Sequence, residues 1–95
     1  MNKTFKFYSD AGHAWLAVKF ADLNKVGLYL KDISNYSYIS GKTVYLEEDC
    51  DAAKFFKAYE DTYGEPPKYV EKYTERSHIR SFTRIFHYHR WLEVG

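Results

Sequence analysis

Cysteine is almost missing from this chain of 95 residues, which has only Cys50. A single thiol cannot close an internal disulfide. That excludes a disulfide-stapled scaffold and suits a reducing compartment. Proline is scarce as well: Pro66 and Pro67 stand side by side and fit a tight connection, not a proline-rich linker. The five glycines never cluster. No phosphate-cradling loop or dinucleotide fingerprint can be written onto any stretch, so a nucleotide-using enzyme is not expected and no cofactor is assigned. Long apolar runs are lacking too; none approaches the roughly 18 residues of a membrane span. "MNKTFKFYSDAG" has no apolar leader-type region. A cytoplasmic protein without a membrane partner is expected.

Charge of one sign is also missing, the net value being +1. Its distribution is uneven. Residues 46–65 hold seven acids against two Lys/Arg, whereas residues 1–45 and 66–95 each hold six Lys/Arg against three acids. Whole-molecule attraction to nucleic acid should therefore be weak, although a local basic patch is compatible with it.

What the chain does have is aromatic residues, at 20%, led by ten tyrosines, within an apolar fraction of 45%. Aromatic side chains bury large areas, and tyrosine does so while keeping its hydroxyl wet. One folded domain over residues 1–95 is expected, since the length is too short for two cores.

The elements read as follows. "TFKFYS" alternates as a first strand, and "DAGH" is a turn in which Asp10 bonds backbone amides and Gly12 takes positive φ. "AWLAVKF" fits strand or helix. "ADLNKVG" is a short helix stopped by Gly27. "ISNYSYISGKTVYL" is a β-hairpin with Tyr36 and Tyr38 on one face. "DCDAAKFFKAYEDTYGEPP" is the strongest helix: Asp49 or Asp51 caps it, Gly64 ends it, and Ala52, Phe55, Phe56, Tyr59 and Tyr63 form one aromatic face. "KYVEKYT" is a strand. The tail is extended near Ile79 to Thr83 and ambiguous beyond. Together these predict an α+β fold: a small antiparallel sheet of about four strands with one long and one short helix packed on it.

Four clusters carry candidate chemistry. Ser9, Asp10 and His13 contain the groups of a hydrolytic triad, but neighbouring side chains point apart and no nucleophile elbow is present; an Asx-type turn is the better reading. His87 and His89 share one face if extended, and with His13, His78 or Asp10 they could hold zinc, although no characteristic ligand spacing accompanies them. The block Glu47, Glu48, Asp49 and Asp51 could chelate a cation, mimic phosphates to a basic partner, or simply suit a helix start. Cys50 within it reads as a structural thiol, because neighbouring carboxylates disfavour the thiolate. In the tail, Arg76, Arg80, Arg84 and Arg90 interleave with Phe82, Phe86, Tyr88 and Trp91, which fits single-stranded nucleic acid or a protein interface.

Three stretches also resemble a family of small phage, prophage and mobile-element proteins. Phe7 to Val18 fits F-x-S-D-x-G-H-x-W-L-x-V. The run from Asn35 or Ser37 through Asp51 fits S-Y-x-Y-x-x-G-x-x-x-Y-L-E-E-D-C-D, and Ser77 to Phe82 fits S-x-I-R-x-[YF]. The tail after Phe82, "RIFHYHRW", departs from the pattern. Small proteins of such elements often bind and block a host protein, so the resemblance implies a non-enzymatic anti-defence inhibitor, with a CRISPR effector or other defence complex as the partner. On that reading the acids Glu47, Glu48, Asp49 and Asp51 engage partner arginines, and Tyr36, Tyr38 and Tyr45 anchor the interface. The alternatives are a nucleic-acid module using Arg76, Arg80, Phe82, Arg84 and Arg90, and a small metal-dependent or hydrolytic enzyme around Asp10 and His13. Ten tyrosines also leave room for a homodimer.

Overall fold

Alternating apolar residues build β1 (Thr4–Ser9), and a nearly continuous apolar run builds β2 (Ala14–Lys19); the two pair antiparallel with Ser9 opposite Ala14. The computed structural model describes residues 3–34, 36–73 and, as backbone, 83–84. The connecting turn is closed by Asp10, whose N–H donates to the His13 carbonyl at 2.9 Å. Its carboxylate accepts from the amides of Gly12 and His13 at 3.0 and 2.9 Å. Gly12 does not take the positive φ expected of it; the carboxylate alone organises the turn.

"AWLAVKF" resolves into strand β2 followed by the helix α1 (Phe20–Lys25). Gly27, at φ +83°, ends α1 as expected. The Gly27 N–H donates to the Asn24 carbonyl and the Leu28 N–H to that of Leu23, two helix-end acceptors that a left-handed residue lets the chain satisfy. A short 3₁₀ turn follows at Leu30–Asp32. The hairpin is then made by β3 (Tyr38–Ser40) and β4 (Thr43–Glu47), with Ser40 opposite Thr43. Tyr36 stands outside it, in the preceding loop.

The long helix α2 spans Asp51–Tyr63, and Gly64 ends it in the left-handed conformation. Neither Asp49 nor Asp51 caps it: Cys50 occupies the N-cap position without a side-chain bond, and Asp51 is already the first helical residue. The Asp51 carboxylate is drawn instead to the loop before β3, where it accepts from the Ser34 amide and from the hydroxyls of Ser34 and Ser37.

After Pro66-Pro67 the chain forms β5 (Lys68–Tyr73), which pairs parallel with β1, Phe5 lying opposite Tyr69. The two-residue strand β6 (Thr83–Arg84) pairs antiparallel with β3. The sheet order is β5-β1-β2-β4-β3-β6. The fold is thus α+β as expected. Its sheet is larger than about four strands, and the β1/β5 pair makes it mixed. Because β4 and β5 run the same way, their connection must cross the sheet, and α2 is that crossover.

One sheet face carries the main core. Ala52, Phe55 and Tyr59 of α2 cluster with Phe5, Leu16, Val18, Ile39, Val44 and Leu46. The Phe5 ring meets Phe55 edge-on at 5.3 Å and Tyr59 at 6.0 Å. Burial of such side chains supplies about 1.5–3 kcal/mol each before entropy is counted. Tyr63, expected on the same face, packs its ring 4.6 Å from that of Tyr59 at the helix end and is 37% exposed. Strand alternation sends the intervening residues of β1, β2, β3 and β4 to the opposite face, where the second cluster forms.

Candidate binding cleft

On that second face Trp15 and Tyr38 are buried, with Tyr8 and Tyr45 packed against them. The register explains the grouping: Tyr8 lies opposite Trp15, Trp15 opposite Glu47, and Tyr38 opposite Tyr45. The Trp15 and Tyr38 rings meet edge-on at 6.1 Å, and the Tyr8 and Tyr45 rings are equally far apart at 6.1 Å. Burial, and then the neighbouring Tyr8, raise the Tyr45 phenol above its usual range.

Beside this cluster lies a cleft of about 460 Å³, lined by His13, Trp15, Tyr36, Tyr38, Glu47, Asp49 and Cys50. Each strand end delivers part of it. The Asp10-closed turn places His13 with its ring 5.9 Å from Trp15 and its Nδ1 4.0 Å from Glu47 Oε1. The end of β4 supplies Glu47, and the turn into α2 supplies Asp49 and Cys50. The loop before β3 supplies Tyr36, which is 63% exposed.

Glu47 is the electrostatic centre of the cleft. It is only 8% exposed, and its Oε2 accepts the Asp49 N–H at 3.0 Å. Burial pushes its carboxyl above the usual range, and the charges of Asp49 and Glu48 add to this; the Asp49 amide bond and His13 oppose it. Its own N–H donates to the Ser37 hydroxyl at 3.0 Å. Ser37 in turn donates to Asp51, so the cleft wall and the start of α2 share one buried network.

The sequence-predicted partner residues therefore separate. Tyr36, Glu48 and Asp49 are exposed, and Tyr45 is half-buried. Tyr38, Glu47 and Asp51 are buried, and Asp51 is 0% exposed. The four acids do not form one surface patch. The serine network takes Asp51, the first residue of α2, inside, where it holds the fold and cannot reach a partner. Trp15 was not among the expected site residues. Reading "AWLAV" as a strand would have set it opposite Leu16 and Val18 and so exposed its role. Ser34 and Ser37 gave no comparable signal.

The hydrolytic trio is not arranged as a relay. The Asp10 carboxylate accepts two turn amides, and His13 faces Glu47 and Trp15. Among the described residues no three His, Cys, Asp or Glu side chains converge as metal ligands. His78, His87 and His89 lie outside the described residues, as do Arg76, Arg80, Phe82 and Arg90. Arg84 is placed by its backbone, opposite Tyr38 on β6. Among the described residues no helix is long and apolar enough to cross a membrane. No protein-family model, no curated protein and no solved structure matches the chain.

Proposed function

We propose that this chain is a phage or mobile-element protein that binds and blocks a host protein in the host cytoplasm. It acts as an anti-defence inhibitor of the anti-CRISPR kind, by surface occlusion and without a cofactor. One observation carries the reading: a cleft with a buried aromatic floor opens beside exposed Tyr36, Glu48 and Asp49. Tyrosine at a rim above a packed aromatic base is the composition of an interface hot spot. The carboxylates supply complementarity to a basic surface of the sort that holds nucleic acid, and they steer encounter. The resemblance supports the same place. All seven lining residues occupy specified positions of the two motifs Phe7–Val18 and Asn35–Asp51.

Affinity capture from bacterial host lysate tests the reading, with and without nuclease, alongside a variant carrying Tyr36→Ala, Glu48→Lys and Asp49→Lys. A nuclease-resistant host protein retained near stoichiometry by the native chain and lost by the variant is the expected result. Recovery that vanishes with nuclease would transfer the function to nucleic acid and to the tail arginines. Equal retention by the variant would move the interface away from the cleft.

A further inference from the structure

We propose that the open end of the sheet's second face, centred on Lys6, binds single-stranded nucleic acid and grips it by its phosphodiester backbone. The inference goes beyond the occlusion reading and does not depend on the cleft.

The first observation is a cluster of four lysines made by the strand register. Phe5 belongs to the main core and Phe7 packs against it, so Lys6 between them projects to the opposite face. Lys6 lies opposite Val70 on β5 and opposite Ala17 on β2. Lys68 and Lys72 stand two residues to either side of Val70, and Lys19 stands two residues beyond Ala17. All three therefore share the face of Lys6 as its diagonal neighbours, with Cα atoms about 8 Å away. Each of the four lysines is exposed, and so is Val70, at 46%. Both helices pack on the other face.

The second observation is that this part of the fold leaves the charge unbalanced. Lys3, Lys54 and Lys57 pair with acids of the helices, whereas none of the four has an ion pair or hydrogen bond among the described residues. β1, β2 and β5 contain one acid, Glu71, and its place opposite Phe7 sends it to the helix face. Like charges on neighbouring sheet positions repel. Lysines on an edge strand such as β5 have a reason of their own, protection against edge-to-edge pairing. Lys6 and Lys19 stand on the inner strands β1 and β2, where that reason does not apply. An anion from outside accounts for all four.

The layout also selects the anion. An acidic peptide added as a strand to β5 would run along the edge and leave Lys19, two strands inward, out of reach. A duplex, stiff over about 150 base pairs, meets a flat face along one line of phosphates and keeps its bases hidden. A single strand bends to follow lysines spread over three strands, and its sugars and unpaired bases can lie on exposed Val70.

Fluorescence anisotropy of the full chain with a labelled oligothymidylate of about 15 nucleotides tests this, in salt stepped from about 50 to 200 mM. Each lysine–phosphate contact contributes about −0.7 to the log–log salt slope. Lys6→Gln combined with Lys19→Gln should flatten the slope by about 1.4, so the native chain should lose about sevenfold more affinity than the variant across that range. Lys25→Gln combined with Lys31→Gln removes the same charge from exposed positions elsewhere and should leave the slope unchanged. Thermal unfolding checks that both variants fold. An unchanged slope in the Lys6 and Lys19 variant would overturn the proposal and pass any binding to the tail arginines. Equal flattening by the Lys25 and Lys31 variant, or no binding at about 50 mM salt, would overturn it too. So would equal affinity for a duplex of the same length, a polyglutamate peptide or anionic vesicles. The lysine variants keep Tyr36, Glu48 and Asp49, so host-protein capture is read independently of this result.

Discussion

The Ser37 hydroxyl donates to the Asp51 carboxylate while accepting the N–H of Glu47. One buried serine thereby joins the first turn of α2 to the end of β4, the segment that carries the cleft's central acid. Ser34 adds its amide and its hydroxyl to the same carboxylate. The sequence places Asp51 in an acidic run, yet its chemistry is that of a core acceptor.

Asp51→Ala should therefore cost about 3 kcal/mol, because it strands one amide and two hydroxyls without an acceptor. Asp51→Asn keeps one acceptor oxygen and should cost less. Glu48→Ala, at an exposed neighbouring position, should change stability by no more than about 0.5 kcal/mol. Urea unfolding of the three variants checks the order. The same result bears on binding assays: a charge-reversal set aimed at the interface must leave Asp51 intact, or it will report unfolding.

Phe55 is 0% exposed and meets Phe5 and Tyr59 at 5.3 and 5.8 Å. Phe55→Ala should lose about 3–5 kcal/mol through the lost transfer energy and the cavity left between α2 and the sheet. In a domain of ordinary stability, about 5–15 kcal/mol in total, that approaches unfolding. Phe55→Leu should cost about 1–1.5 kcal/mol and remain folded. Thermal unfolding by circular dichroism separates the pair.

Helix α2 and its stop were legible because the apolar spacing of Ala52, Phe55 and Tyr59 and the terminal Gly64 are local signals. The β3–β4 hairpin was legible for the same reason. "AWLAVKF" was not, and the structure shows why: Trp15 is buried on one face while Leu16 and Val18 are buried on the other. A strand covered on both sides loses the alternation that would mark it. The parallel pairing of β5 with β1 joins Phe5 to Tyr69, and no local pattern encodes a partner at such separation. Of the cleft, the turn at Asp10 and the acidic block were visible as pieces. Their convergence was not, because Trp15 and Glu47 become neighbours only through the β2/β4 register.

Gly64 sits at φ +80° with its N–H donating to the Glu60 carbonyl at 2.8 Å. A Cβ built there would meet nothing within 4 Å. The cost of Gly64→Ala is then the left-handed backbone alone, about 1 kcal/mol. That should lower the melting temperature by about 4–8 °C in a domain of this size. Gly64→Asn should cost less, since asparagine tolerates this conformation better than other side chains. Differential scanning of both variants measures the difference; equal losses would place the cost in packing and not in the backbone.

Glu47 gives the pH dependence a definite sign. Its carboxyl is raised above the ordinary value of 4.5, chiefly by burial, so the folded state holds the proton more tightly than the unfolded chain. Stability from this group is present below pH 4.5 and falls as pH rises through the raised folded value, after which it is constant. Among the described residues His13, Glu48 and Asp49 are the charged or titratable groups acting on it, so the loss should deepen when His13→Gln removes a positive-capable neighbour. Glu47→Gln has no proton to lose. Its stability relative to the native chain should therefore rise across that window and level off above it, while the Ser37 and Asp49 hydrogen bonds persist. Urea unfolding of both chains at stepped pH gives the difference curve. A flat difference would mean that Glu47 is compensated in the folded state and carries no net cost there.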